Sequence, residues 1–187
     1  RDPEMSRGLG DVYKRQLHGP ILKENLGYYI GKYMTWSSYE PEDDGVLVAY
    51  ASIHGNTKKA AEKMKEILEA KGAKKVAITD LSRDDMAEAI EDAFRYDKLV
   101  LAAASYDASV FPCMETFLNK LTNKNYQNRK IAIIENGSWA PTAARVMKSY
   151  VEKMKKITLC EKTVTIKSAM KDADVIAMEE LADELLA

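Results

Sequence analysis

The sequence predicts an α/β domain built on a doubly wound parallel sheet, and three observations carry that reading. Val46-Leu-Val-Ala49 is an apolar run without alternation, which suits a strand buried on both faces. It stops abruptly in Ser52-Ile-His-Gly-Asn-Thr57, small polar residues that open a helical pattern. The same succession of apolar run and helix-spaced segment then recurs until five strands have alternated with helices.

Arg1 to Gln16 show neither periodicity nor a capped element and are expected to be non-native. Within them Gly8-Leu-Gly-Asp-Val-Tyr-Lys-Arg-Gln16 looks like translated adapter sequence, so a truncated gene is the expected source. Residues 17–45 read as a turn at His18-Gly-Pro20, an amphipathic helix through Leu26, Tyr29, Ile30, Tyr33 and Trp36, and an exposed linker from Ser37 to Gly45. The helix precedes the main domain, residues 46–187, and is expected to serve an interface.

In the main domain the first helix carries Ala60, Ala61, Met64, Ile67 and Leu68 on one face, is capped by Thr57 and ends at Gly72. Lys75 to Thr79 form the second strand. Ser82, with Asp84 and Asp85 behind it, caps a helix through Met86, Ile90, Ala93 and Phe94. Lys98 to Ala104 form the third strand, and Met114, Phe117, Leu118 and Leu121 mark the next helix. Lys130 to Glu135 form the fourth strand, followed by a helix carrying Ala144, Met147, Val151 and Met154. Thr163 to Ile166 form the fifth strand, and Met178, Leu181, Ala182 and Leu185 line the last helix.

The 187 residues carry 28 Lys+Arg against 29 Asp+Glu, a formal charge of −1, which gives no electrostatic footprint for nucleic acid or anionic membrane. Lys58-Lys59 and Lys153-Met-Lys155-Lys156 read as solvated helix faces, with a docking patch for a small acidic protein left open. No apolar stretch approaches the roughly 20 residues that span a bilayer, and no signal-peptide pattern occurs, so a cytoplasmic protein is expected. Cys113 and Cys160 stand in no metal-ligand spacing, and Cys113 is expected to be buried as a small apolar residue.

A helix N-terminus crowned with hydroxyls is an anion site, and Ser52 to Thr57 form such a loop. It lacks the glycines of the nucleoside-triphosphate and dinucleotide fingerprints, which argues against ATP and NAD and makes Asp80 a strand-end residue rather than a ribose ligand. In doubly wound sheets ligands sit beyond the carboxyl ends of the strands, where strand order reverses. The loops after the first, third and fourth strands should therefore converge: Ser52 to Thr57, Ser105 to Pro112 and Asn136 to Thr142. Polar groups and one aromatic in each of the last two, Tyr106 and Trp139, suit a flat ring held at its edges and stacked on its faces.

These residues resemble flavodoxin, and more closely the carboxy-terminal flavodoxin-like domain of a flavodiiron protein, the A-type flavoproteins of anaerobes. Ser52-Ile-His-Gly-Asn-Thr57, Ser105-Tyr-Asp-Ala-Ser-Val-Phe-Pro112, Ile134-Glu-Asn-Gly-Ser-Trp-Ala-Pro-Thr142 and His18-Gly-Pro-Ile21 carry the match, which covers about Leu17 to the C-terminus. The resemblance implies a flavodoxin-like three-layer sandwich with strand order 2-1-3-4-5. It implies FMN as cofactor, its phosphate held by Ser52, His54, Gly55, Asn56 and Thr57. Ser105, Tyr106, Asp107 and Ala108 would border the isoalloxazine on one side, and Asn136, Gly137, Ser138 and Trp139 on another. The second loop departs from the pattern: Ala103-Ala104-Ser105 stands where many relatives have Ser-Pro-Thr, which leaves its ring contacts open.

In the intact family His18 would be a diiron ligand contributed to a metallo-β-lactamase-like domain; that domain is missing here, so no metal is expected on this chain. Residues 17–45 would be the remnant and linker helix of that domain. The implied function is electron transfer from a rubredoxin-like donor to a diiron centre that reduces O2 or NO, with a homodimer as a possible assembly and no catalysis of that reduction by the fragment alone. One alternative is a stand-alone NAD(P)H-dependent FMN or quinone reductase, for which no nicotinamide site is evident. Another is a response-regulator-type interaction domain, which needs an acidic cluster where Ala51-Ser52 stands.

Overall fold

A computed structural model describes residues 22–187. The non-native segment expected at 1–16 and the His18 turn lie outside the described residues. The chain divides into two units, Arg1–Ser38 and Tyr39–Ala187. In the first, α1 (Leu26–Ser37) follows Asn25, whose left-handed backbone opens the helix. Tyr28 and Tyr29 meet edge to face with ring centroids 5.4 Å apart, and Tyr28, Tyr33 and Met34 are exposed.

The second unit runs β1 (Asp43–Ala51), α2 (Asn56–Ala70), β2 (Val76–Asp80), α3 (Met86–Arg95), β3 (Tyr96–Tyr106), β4 (Ser109–Val110), α4 (Pro112–Asn123), β5 (Gln127–Asn136), α5 (Ala143–Val151), β6 (Lys155–Ile166) and α6 (Asp172–Leu186). The strands lie in the order β2-β1-β3-β5-β6, all parallel, with β4 pairing antiparallel beside the end of β3. Without that short arm the order is the expected 2-1-3-4-5, and it reverses between β1 and β3.

The unalternating strands are explained by their two faces. Leu47, Ala49 and Ala51 of β1 join Leu99 and Leu101 of β3 against α3, α4 and α5. Val46, Val48 and Tyr50 join Val100, Ala132 and Ile134 against α2 and α6. Each central strand is thus apolar on both sides, as parallel sheets with helices on both faces require.

Several boundaries differ from expectation for identifiable reasons. β6 begins at Lys155, not Thr163: it is an edge strand, and its first half alternates exposed Lys156 and Thr158 with partly buried Ile157 and Leu159. Lys155 and Lys156 are therefore strand residues rather than part of a helix face. The pairing of β6 with β5 jumps from Ile131↔Leu159 to Ile133↔Thr163, a bulge whose Glu161 and Lys162 amides donate to the Glu184 carboxylate of α6. α3 is capped by Asp85, whose carboxylate accepts from the Ala87 amide at 2.6 Å, not by Ser82. The amides of Arg83 and Asp84 bond the Asp80 carbonyl instead, in a turn that delays the helix. Gly55 rather than Thr57 is the N-cap of α2. Met154 falls beyond α5 in the turn to β6, and Cys113 at the start of α4 is half-buried where full burial was expected.

Candidate functional site

The first loop is shaped by Gly55 and Ser52. Gly55 sits at φ 85°, a left-handed conformation that costs glycine nothing, and its amide donates to Ser52 Oγ at 3.1 Å. Among the described residues no side chain caps α2, so the amides of its first turn stay available as donors. Thr57, 2% exposed, is buried in that first turn.

The second loop is a tight hairpin between β3 and β4. Asp107 (φ 47°) and Ala108 (φ 54°) make the two-residue connection, and Ser105 pairs with Val110 across it. The Tyr106 ring meets Phe111 at 5.6 Å and 70° and is 49% exposed. Ser105 Oγ accepts from the amides of Thr142 and Ala143 at 2.9 and 3.2 Å, capping α5 and tying the second loop to the third. A Cβ on Gly137 would lie 2.9 Å from that oxygen, so close approach explains this glycine.

In the third loop Glu135, buried at the end of β5, accepts from the Ala144 amide and the Thr165 hydroxyl, each at 2.8 Å. Asn136 turns its carboxamide to Ser168 in the loop after β6. Trp139 is 99% exposed.

These loops close on one pocket of about 220 Å³, lined by Ser52, Ile53, His54, Asn56, Thr57, Ala104, Ser105, Asn136, Gly137, Ser138 and Ser168. It brings together eight of the thirteen residues expected to hold cofactor. Gly55 shapes the loop without lining the pocket, while Tyr106, Asp107, Ala108 and Trp139 lie outside it. Sequence reasoning missed Ile53, Ala104 and Ser168. Ser168 had a signal in its position directly after the fifth strand, the same place from which the other loops were chosen.

A larger recess, about 470 Å³, opens on the other side of the first loop, lined by Tyr50, Lys58, Glu62, Asp80, Arg83 and Asp84 among others. Its central acid is already committed: Asp80 accepts from Arg83 at 2.7 Å, the Ser82 amide at 3.0 Å and the Tyr50 hydroxyl at 3.2 Å. Burial raises the Asp80 pKa, but these donors outweigh it and hold the carboxyl below its ordinary value. Burial first, and Asp80 second, push the Tyr50 phenol up to about 12. Asp80 is thus a strand-end residue in an ion-paired network, as its sequence context suggested.

A parallel sheet of order 2-1-3-4-5, with a glycine-turned, hydroxyl-lined pocket at its switch point, defines a flavodoxin-like domain. The flavodoxin domain family matches residues 47–167, about two thirds of the sequence, and the chain belongs to that family. More particularly, it resembles the flavodoxin-like part of flavodiiron proteins. An anaerobic nitric oxide reductase flavorubredoxin from Aeromonas hydrophila is 23% identical over 123 residues, 65% of this chain and 25% of its own length. Its Escherichia coli counterpart is 18% identical over 124 residues, 66% of this chain and 26% of its own. The chain thus spans about a quarter of these relatives. Rubredoxin oxygen:oxidoreductase from Desulfovibrio gigas superposes with a TM-score of 0.88 at 16% identity, over 98% of this chain and 46% of that one. The flavodiiron protein of Giardia intestinalis gives 0.82 at 15% identity, over 97% and 46%. Oxidised flavodoxin 1 from Bacillus cereus gives 0.66 at 15%, over 76% of this chain and 97% of its own.

FMN is the cofactor of such a domain, and the residues present fit it. The pocket wall carries hydroxyls, amides and His54 but no carboxylate, beside a helix end without a side-chain cap, which is a donor set for a phosphate ester.

Proposed function

We propose that Tyr39–Ala187 binds FMN in the 220 Å³ pocket and relays electrons from a rubredoxin-like donor to a diiron centre in an intact flavodiiron protein that reduces O2 or NO. The observation that carries this reading is the convergence of the first, second and third loops on a carboxylate-free pocket beside the uncapped start of α2. Ser52, His54, Gly55, Asn56 and Thr57 hold the phosphate. Tyr106, Asp107 and Ala108, with Ser105, border the ring on one side, and Asn136, Gly137, Ser138 and Trp139 border it on another. FMN supplies the redox chemistry when bound, while the protein binds, orients and sets the electrostatics. No side chain is required as acid or base.

The likeness to rubredoxin oxygen:oxidoreductase extends over 98% of this chain, α1 included, and supports assigning 17–45 as remnant and linker of an iron-binding domain. In an intact protein His18 would be a diiron ligand, and two subunits would pair so as to bring one flavin to the other's iron site. Among the described residues no helix is long and apolar enough to cross a membrane. The cytoplasm is the compartment we assign.

The test is a visible absorption spectrum of the purified chain after incubation with FMN and desalting, with riboflavin as control. Flavin bands retained for FMN alone support the phosphate site; retention of neither by a folded chain overturns it. Rapid reduction of the bound flavin by reduced rubredoxin tests the donor, and its absence sinks that part of the reading.

A further inference from the structure

The loop after β6 was not among those expected to build the site, yet Ser168 lines the pocket together with Asn56 and Thr57 of the first turn of α2. Its position is imposed. Ser168 has φ 67°, a left-handed conformation that a serine adopts only when its surroundings compensate. The compensation is Asn136, 32 residues away: its Nδ2 donates to the Ser168 carbonyl at 2.9 Å, and its Oδ1 accepts the Ser168 amide at 3.1 Å. The Gly137 amide donates to the Ile166 carbonyl at 3.0 Å, fixing the same two chain segments side by side.

The sheet shows which end of the pocket this serves. Ile134 and Ile166 pack on the face covered by α2 and α6. Asn136, two residues beyond Ile134 and still in β5, continues toward that face, from which the start of α2 presents its amides, and its two hydrogen bonds hold the Ser168 backbone beside it. The β3 loop contributes little there: Ala104 has no hydroxyl, and Ser105 Oγ is occupied by two amides of α5.

We propose that Ser168 is a phosphate-binding residue supplied by a fourth loop, and that toward the phosphate Asn136 is the positioning residue that holds Ser168 there rather than a direct ligand. The proposal rests on the reading of this pocket as the FMN site and deepens it.

Ser168→Gly is the decisive variant, because glycine takes φ 67° without strain and removes only the short hydroxymethyl side chain. By titration with FMN and with riboflavin, the FMN dissociation constant should rise about tenfold, the value for one lost hydrogen bond to a charged group. The riboflavin constant should not change, and the melting temperature of the apo chain should not fall. A merely structural serine would give the opposite pattern. Asn136→Ala should reproduce the loss for FMN, and the double variant should bind no worse than Asn136→Ala alone. An FMN constant for Ser168→Gly within twofold of wild type, or equal losses for FMN and riboflavin, overturns the proposal. If the wild-type chain itself fails to prefer FMN over riboflavin, the pocket reading fails before Ser168 is reached.

Discussion

At the residue scale the site is built from side chains used twice. Ser52 Oγ accepts the Gly55 amide and borders the pocket, so it shapes the loop that it belongs to. Ser52→Ala should weaken FMN binding about tenfold or more in a fluorescence titration, and Thr57→Ala by a similar factor. The Asp80 network sets a pH limit at the same scale. Asp80 is held below its ordinary pKa, so its contribution to stability is present above the unfolded value and is lost as acid takes the pH down through the folded one. Asp80→Asn should remove about 1–3 kcal/mol at neutral pH and flatten the acid limb of a urea-denaturation series. Wild type and variant should converge at low pH. The lining of the pocket was partly legible. Ser52, Asn56 and Thr57 declare themselves as a hydroxyl-rich loop after a buried strand, whereas the pairing of Asn136 with Ser168 is a contact between distant segments with no local pattern.

At the element scale the chain is held together at the end opposite the site by Arg129. This buried guanidinium donates to the carbonyls of Tyr39 and Tyr96 at 2.7 Å, Asn128 at 2.9 Å and Gln127 at 3.1 Å, and also to that of Phe94. It thereby joins the start of the second unit, the α3–β3 junction and β5. Burial, the first of its influences, lowers its pKa. Lysine has three donors on one nitrogen and cannot serve that fan of acceptors. Arg129→Lys should cost about 2–4 kcal/mol in chemical denaturation, with the FMN constant of the folded fraction unchanged. β1, β3 and β5 were legible because their runs lack alternation. β6 was half legible, since an edge strand with a bulge has neither a clean period nor a continuous apolar run. The β3–β4 hairpin escaped notice because Asp107-Ala108 takes positive φ without glycine or asparagine.

At the scale of the whole molecule the fold class followed from the alternation alone, while the convergence of four loops required the sheet order. Ligand linkage gives a further test of the complete domain. With FMN at about 100 times its dissociation constant, stability should rise by about 2.7 kcal/mol. The melting temperature should then rise by roughly 5–10 °C for a domain of this size, and riboflavin at equal concentration should give less. An unchanged melting temperature on addition of FMN would count against a formed site in the apo chain.

Trp139 turns this chemistry into an optical signal. The sequence holds two tryptophans, Trp36 in α1 and Trp139 in the third loop, and Trp139 is 99% exposed. Its emission should therefore be that of a hydrated indole until a flavin ring settles beside it, and should be quenched afterwards. Trp139→Phe should remove that part of the quenching, and equal quenching in wild type and variant would count against a ring beside Trp139. If Trp139 borders the ring as proposed, the domain should report its own cofactor occupancy without a label.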